Sequence, residues 1–127
     1  MRKNYILLFL FTLIVIACNK EKEADPMHCQ LETISTEFEG EQIEVTYTLE
    51  ASGDYVLHSF FYYDESGLVS QEAPAAPKTI KVMLNEQKTM QAGATGEVRN
   101  GMISVKFQAV SDTLVYQGSD RCRQSSQ

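Results

Sequence analysis

The stretch Ile43-Glu44-Val45-Thr46-Tyr47-Thr48-Leu49-Glu50 decides the fold class. Its apolar residues fall on every second position, which gives one dry face and one wet face, the period of a β-strand and not of a helix. The same alternation returns downstream, in Ile80, Val82 and Leu84, and again in Ile103, Val105 and Phe107. Leu31–Phe38 reads as a first strand, Tyr55–Tyr63 as another, and Thr113–Gln117 as the last, followed by a polar tail over Arg121–Gln127. Leu68–Gln71 and Thr89–Ala92 read as short strands, and Glu97–Arg99 leads into the late strand Ile103–Ala109. Ser52-Gly53-Asp54 and Asp64-Glu65-Ser66-Gly67 supply turn residues. Asn100-Gly101 is the strongest hairpin signal, because a type I′ turn needs positive φ at both central positions. Pro74 and Pro77 make Glu72–Pro77 a crossover or an edge, since proline cannot donate to a central ladder. No helical stripe of useful length is present. The expected fold is all-β, an immunoglobulin-like β-sandwich of about seven strands, with a small antiparallel β-barrel as the alternative. The expected inward set is Ile43, Val45, Tyr47, Leu49, Ile80, Val82, Leu84, Ile103, Val105 and Phe107.

Composition narrows the function classes. The chain has 127 residues, 17 acidic against 11 basic, and a net charge of −6. That is one domain's length, and the acidic balance argues against a nucleic-acid partner, which requires a basic surface. No Gly-rich phosphate loop, HExxH, GxSxG or CxxC occurs. Clustered carboxylates occur only as Glu37, Glu39, Glu41 and Glu44, on what reads as a solvated strand edge. Of the 2 histidines, His28 sits in Met27-His28-Cys29, and three adjacent residues cannot surround one ion. No metal, cofactor or catalytic residue is assigned, and the expected role is non-catalytic. An enzyme would need a cleft that gathers His58 with acids such as Asp54 or Asp64.

The amino terminus reads as an address. Arg2 and Lys3 precede the apolar run Tyr5–Ala17, and all 17 acids lie beyond that run. This is the layout of a secretory signal, and the run is short for a membrane span, which takes about 20 apolar residues. Val15-Ile16-Ala17-Cys18 resembles the lipobox of bacterial lipoproteins. The resemblance implies cleavage before Cys18, lipidation of its thiol and a stable acyl anchor. Asn19 stands where Asp would signal inner-membrane retention in the enterobacterial sorting rule, so the resemblance implies the outer membrane. Lys20-Glu21-Lys22-Glu23 is similar to the charged stretches behind the lipidated Cys of surface lipoproteins in Bacteroidetes; a plain solvated tether is the alternative. The expected location is the bacterial cell envelope.

With Cys18 assigned to lipid, Cys29 and Cys122 remain as a pair. An oxidising envelope compartment permits a disulfide between them, and two free thiols are the alternative. The expected organisation is a signal peptide over 1–17, a lipidated Cys and flexible tether over 18–28, and one domain over 29–127. Residues 18–127 carry 9 cations against 17 acids, a net of −8. Such a domain is repelled by anionic lipid and is expected to project from the membrane on its tether.

The run Tyr55-Val56-Leu57-His58-Ser59-Phe60-Phe61-Tyr62-Tyr63-Asp64 is apolar on both alternating faces. A sandwich strand has one inward face, so Tyr55, His58, Phe60 and Tyr62 are the candidate binding surface; strand–strand packing within the sheet and cover by a loop such as 72–77 are the alternatives. Exposed aromatic rings give contact area at low entropic cost. The span from Ile43 to about Asp120 resembles the mycobacterial small membrane protein (MmpS) accessory family. The likeness is carried by Val45-Thr46-Tyr47, Phe61-Tyr62-Tyr63-Asp64-Glu65-Ser66-Gly67, the proline-bearing segment Pro74–Pro77 and Gly101-Met102-Ile103-Ser104-Val105. It implies a membrane-anchored amino terminus, an extracytoplasmic immunoglobulin-like sandwich and assistance to a lipid or small-molecule transporter. The family has a transmembrane helix where this chain has a lipobox, and a late-strand Cys that this chain lacks. The partners expected are the membrane, through the anchor, and a protein or glycan.

Overall fold

A computed structural model describes residues 25–38, 40–85 and 88–125. The expected signal peptide, lipobox-like Val15–Cys18 and lipidation site Cys18 lie outside the described residues. The chain is all-β: β1 Met27–Glu32, β2 Thr36–Glu37, β3 Gln42–Asp64, β4 Gly67–Glu72, β5 Lys78–Asn85, β6 Thr89–Met90, β7 Ala92–Val110 and β8 Val115–Gln124. Six of these form one antiparallel sheet, and β2 pairs with β6 in a separate two-stranded ladder.

Two very long strands organise the sheet. β3 and β7 pair along nearly their whole length, from Val45↔Ala109 to Tyr62↔Ala92. β5 flanks the first part of β3 and β8 the second part of β7. β4 flanks the end of β3 and β1 the start of β7. The result is two four-stranded halves, β5–β3–β7–β8 and β4–β3–β7–β1, which share both long strands.

The halves fold over one another. Tyr47 and Tyr62 are fifteen positions apart on β3, about 50 Å if extended, yet their ring centroids are 5.3 Å apart. Gly96 and Ile103 are seven positions apart on β7, yet a Cβ on Gly96 would lie 2.9 Å from Ile103 Cδ1. Such a curled sheet is compatible with a β-sandwich or a small barrel. Its single core holds Ile43, Val45, Tyr47, Leu49, Leu84, Ile103, Val105 and Phe107 from one half. Leu31, Leu57, Phe60, Tyr62, Ala92, Ala94 and Val98 come from the other, and Phe38 and Met90 fill the end. Of the expected inward set, Ile80 and Val82 alone are only partly buried.

The fold-over happens where the sequence reads as two turns. Gly53 faces Gly101 inside the β3–β7 ladder, and Asn100 is an extra residue between Arg99 and Gly101. Ser52-Gly53-Asp54 and Asn100-Gly101 are therefore the corner of the sheet, and neither ends a strand. The local signal is genuine: Asn100 has φ 57° and Gly53 φ 75°. A bulge uses positive φ as readily as a hairpin does, and the long-range pairing decides between them. Asp64-Glu65-Ser66-Gly67 is the β3–β4 turn, as expected. Asp64 Oδ1 accepts from Ser66 N at 2.8 Å and from Ser66 Oγ at 2.7 Å. These bonds hold the Asp64 carboxyl below its usual range. The Arg121–Gln127 tail is corrected: Arg121–Gln124 belongs to β8 and pairs with Gly101–Ser104. An exposed outer strand is polar for the same reason that a tail is, so composition does not separate them.

The open sides of the two halves meet at β1 and β8. Cys29 on β1 and Cys122 on β8 lie at disulfide distance, with sulfurs 2.01 Å and Cα atoms 5.8 Å apart. Beside them Glu32 N donates to Asp120 Oδ2 at 3.0 Å, and Gln124 Nε2 donates to the Asp25 carbonyl at 3.0 Å.

Tyr47 is fully buried, and its hydroxyl donates to the Tyr63 carbonyl at 2.8 Å. Burial, which disfavours the phenolate, pushes its pKa up to about 12. The folded value is raised above the unfolded one, so this contribution to stability is complete below pH 10 and is lost as pH climbs towards 12. Tyr47→Phe is expected to cost about 1 kcal/mol at neutral pH and to blunt the loss above pH 10. Urea unfolding at stepped pH, with phenolate absorbance followed in parallel, checks both.

Candidate functional site

The expected binding strand is re-aimed by a second irregularity. Leu57 pairs with Gly96 and Ser59 with Thr95, which leaves His58 as an extra residue in β3. A bulge shifts every later side chain to the opposite face. Leu57 points inward before it; Phe60 and Tyr62 point inward after it. The candidate surface is corrected accordingly. Phe60 is fully buried, Tyr62 is 8% exposed, and Tyr55 is half-buried against the core. His58 alone of the four keeps an open side chain, 54% exposed.

The outward positions belong to the neighbouring residues. Phe61 stands opposite Gly93, and its ring occupies the place that a Gly93 Cβ would take, so it lies over the glycine on the outer face. Tyr63 pairs with exposed Leu68. Ser59 and Thr95 share a 2.6 Å hydroxyl–hydroxyl bond between these aromatics and the histidine. Phe60→Ala, which empties core volume, is expected to cost about 3–4 kcal/mol. Phe61→Ala removes only a partly exposed ring and is expected to cost under about 1.5 kcal/mol. Denaturant unfolding of the two variants checks the inversion of faces; equal losses would contradict it.

His28 and His58 meet on this face, although thirty positions separate them. His28 pairs directly across from Glu97, whose other neighbour on β3 is Val56. Glu97 Oε1 lies 3.1 Å from His28 Nδ1 and 3.9 Å from His58 Nε2. A shallow hollow of about 120 Å³ adjoins the carboxylate, lined in part by Asp54, Tyr55 and Arg99. Asp64, by contrast, is tied into its turn by Ser66. Among the described residues the acid within 4 Å of His58 is Glu97. The face is therefore a shallow outer surface with two half-exposed aromatics, a hydroxyl pair and a His–Glu–His cluster.

Sequence reasoning reached His58 and missed Glu97, Ser59, Thr95, Phe61 and Tyr63. The one signal that could have reached them was the double-sided apolar run itself, which a bulge resolves by turning half of it inward. No protein-family model, no curated protein and no solved structure matches this chain.

Proposed function

We propose that this chain is a bacterial cell-envelope lipoprotein, anchored through Cys18, whose domain is a non-catalytic binding module that recognises glycan. The resemblance of Val15-Ile16-Ala17-Cys18 to a lipobox, with Asn19 after the Cys, supports an outer-membrane location. The Cys29–Cys122 pair at disulfide distance suits an oxidising compartment.

The observation that carries the binding reading is the outer face of β4–β3–β7–β1. Phe61 and Tyr63 are partly exposed there, on the face that carries the Ser59–Thr95 hydroxyls and, farther along β7, Glu97. Rings offer flat apolar contact to the C–H faces of sugars, and hydroxyls and carboxylate can pair with sugar hydroxyls. A shallow surface suits an extended polymer better than a small enclosed ligand.

Two experiments test the reading. Metabolic labelling with a palmitate analogue should mark the wild-type chain and spare Cys18→Ala; equal labelling, or none in either, would remove the anchor. A polysaccharide panel probed with the full chain should give a binder that is lost in the Phe61→Ala, Tyr63→Ala double variant at a temperature where that variant is still fully folded. Binding that survives the double variant would place recognition elsewhere.

A further inference from the structure

We propose that the outer face of β5–β3–β7–β8 lies on the anionic headgroups of the membrane that holds the anchor. This placement rests on the Cys18 anchor proposed above and adds the orientation of the domain on it.

The net charge of −8 over residues 18–127 predicts a domain held off anionic lipid, but that charge is not spread evenly. The described residues hold 7 Lys and Arg and 13 Asp and Glu. On the four strands of this half, alternation turns one set of side chains into the core and the other set out. The outward set includes Lys81, Lys106, Arg121 and Arg123, all exposed, against Glu44 and Glu50. That is 4 of the 7 cations with 2 of the 13 acids, a local net of +2. Lys106 lies 3.9 Å from Glu50, and the two arginines have no such ion-pair partner among the described residues. The outer face of β4–β3–β7–β1 has the opposite balance, with Glu32, Glu72 and Glu97 against Arg99. Packed sheets lie about 10 Å apart, and the Debye length at physiological salt is about 8 Å. Lipid against the cationic face is therefore screened from the acids across the core.

Two observations favour lipid over a soluble acidic polymer. Three apolar side chains stand exposed on the same face: Met83 at 45%, and Val110 and Val115 at 60% each. Aliphatic groups beside cations suit the boundary between headgroups and acyl chains, where buried apolar area and charge both contribute to binding. The chain also enters the domain at the arginine end of this face. Gln124 Nε2, next to Arg123 in β8, donates to the Asp25 carbonyl at 3.0 Å. Residues 18–24 are 7 positions, at most about 25 Å of chain. So short a lead keeps Arg121 and Arg123 within reach of the headgroups. Docked in this way, the domain turns its Phe61 and Tyr63 face away from the lipid.

Lysine labelling on vesicles tests the proposal. The full lipidated chain, purified in detergent, is reconstituted on phosphatidylcholine vesicles and on vesicles that also carry phosphatidylglycerol. Flotation with the neutral vesicles reports the anchor alone. Acetylation followed by peptide mapping should be at least about threefold slower at Lys81 and Lys106 on the anionic vesicles than on the neutral ones. Lys88, outside the four strands, should react equally on both. Salt at about 1 M, where the Debye length is about 3 Å, should abolish the difference. Arg121→Glu together with Arg123→Glu should do the same at low salt. A chain that does not float with neutral vesicles would remove the anchor and the proposal together. A floating chain with equal labelling on both compositions would overturn the proposal and leave the anchor standing. Protection of both lysines by added polygalacturonate, and not by phosphatidylglycerol, would also overturn it and assign the face to an acidic polymer.

Discussion

Gly101→Ala is expected to destabilise the domain by about 4–5 kcal/mol, the range that single substitutions reach only through backbone strain or core disruption. A Cβ at this position would lie 2.6 Å from the Asp54 carbonyl oxygen and 2.7 Å from that of Ser52. Both obstacles are backbone atoms of the facing strand, so no side-chain rotation relieves them. Room can come only from parting β3 and β7 at the corner where the sheet folds over. Ile103 and Gly96, which meet across the fold, would be pulled apart with it. The loss is a large share of the roughly 5–15 kcal/mol that holds a typical domain together. Gly67→Ala is the control. Gly67 has a positive φ, 113°, which Gly101 lacks, and nothing lies within 4 Å of its added Cβ. It should cost only the roughly 1–3 kcal/mol of a strained backbone conformation. Guanidinium unfolding of the two variants side by side measures the difference; equal losses would mean that the corner is not a close contact.

Replacing Cys29 and Cys122 together by Ser is expected to cost about 4–5 kcal/mol in the chain-entropy account, because the bridge closes a loop of 93 positions. For a domain of this size that corresponds to a fall of about 20 °C in the unfolding midpoint. The pair also joins β1 to β8, outer strands of the two halves that no backbone ladder connects. Without it, that side is held by Glu32 N to Asp120, Gln124 to the Asp25 carbonyl, and side-chain packing. Thermal unfolding in the presence and absence of reductant gives the same comparison without mutation. A midpoint that ignores reductant, with two free thiols by mass, would show that the sulfurs are not joined.

These two expectations divide what the sequence shows from what it hides. Ile43–Glu50 and Ile103–Phe107 announce their strands because one face of each meets the core and the other meets water. Cys29 and Cys122 become a pair once Cys18 is set aside, since only two thiols are then left. Gly53 and Asn100-Gly101 mislead because positive φ serves a corner and a hairpin equally. Only the pairing of residues some fifty positions apart separates the two uses. The bulge at His58 is hidden for a related reason: Leu57, Phe60, Phe61, Tyr62 and Tyr63 are apolar whichever way they point. The candidate site consequently shifted by one residue along β3, from Phe60 and Tyr62 to Phe61 and Tyr63. It also gained Glu97, a residue that a one-dimensional reading assigns to an ordinary wet face.

The central claim is structural: β3 and β7 run unbroken through a glycine corner, and the His58 bulge then turns Phe61 outward and Phe60 inward. A proton NOE spectrum of the domain tests it most directly. The account predicts cross-peaks between the α-protons of Gly53 and Gly101, between the Phe61 ring and Gly93, and between the Phe60 ring and that of Tyr62, whose centroids are 5.6 Å apart. Cross-strand peaks between Arg99 and Met102, the mark of a hairpin closing at Asn100-Gly101, with no contact between Phe61 and Gly93, would contradict it.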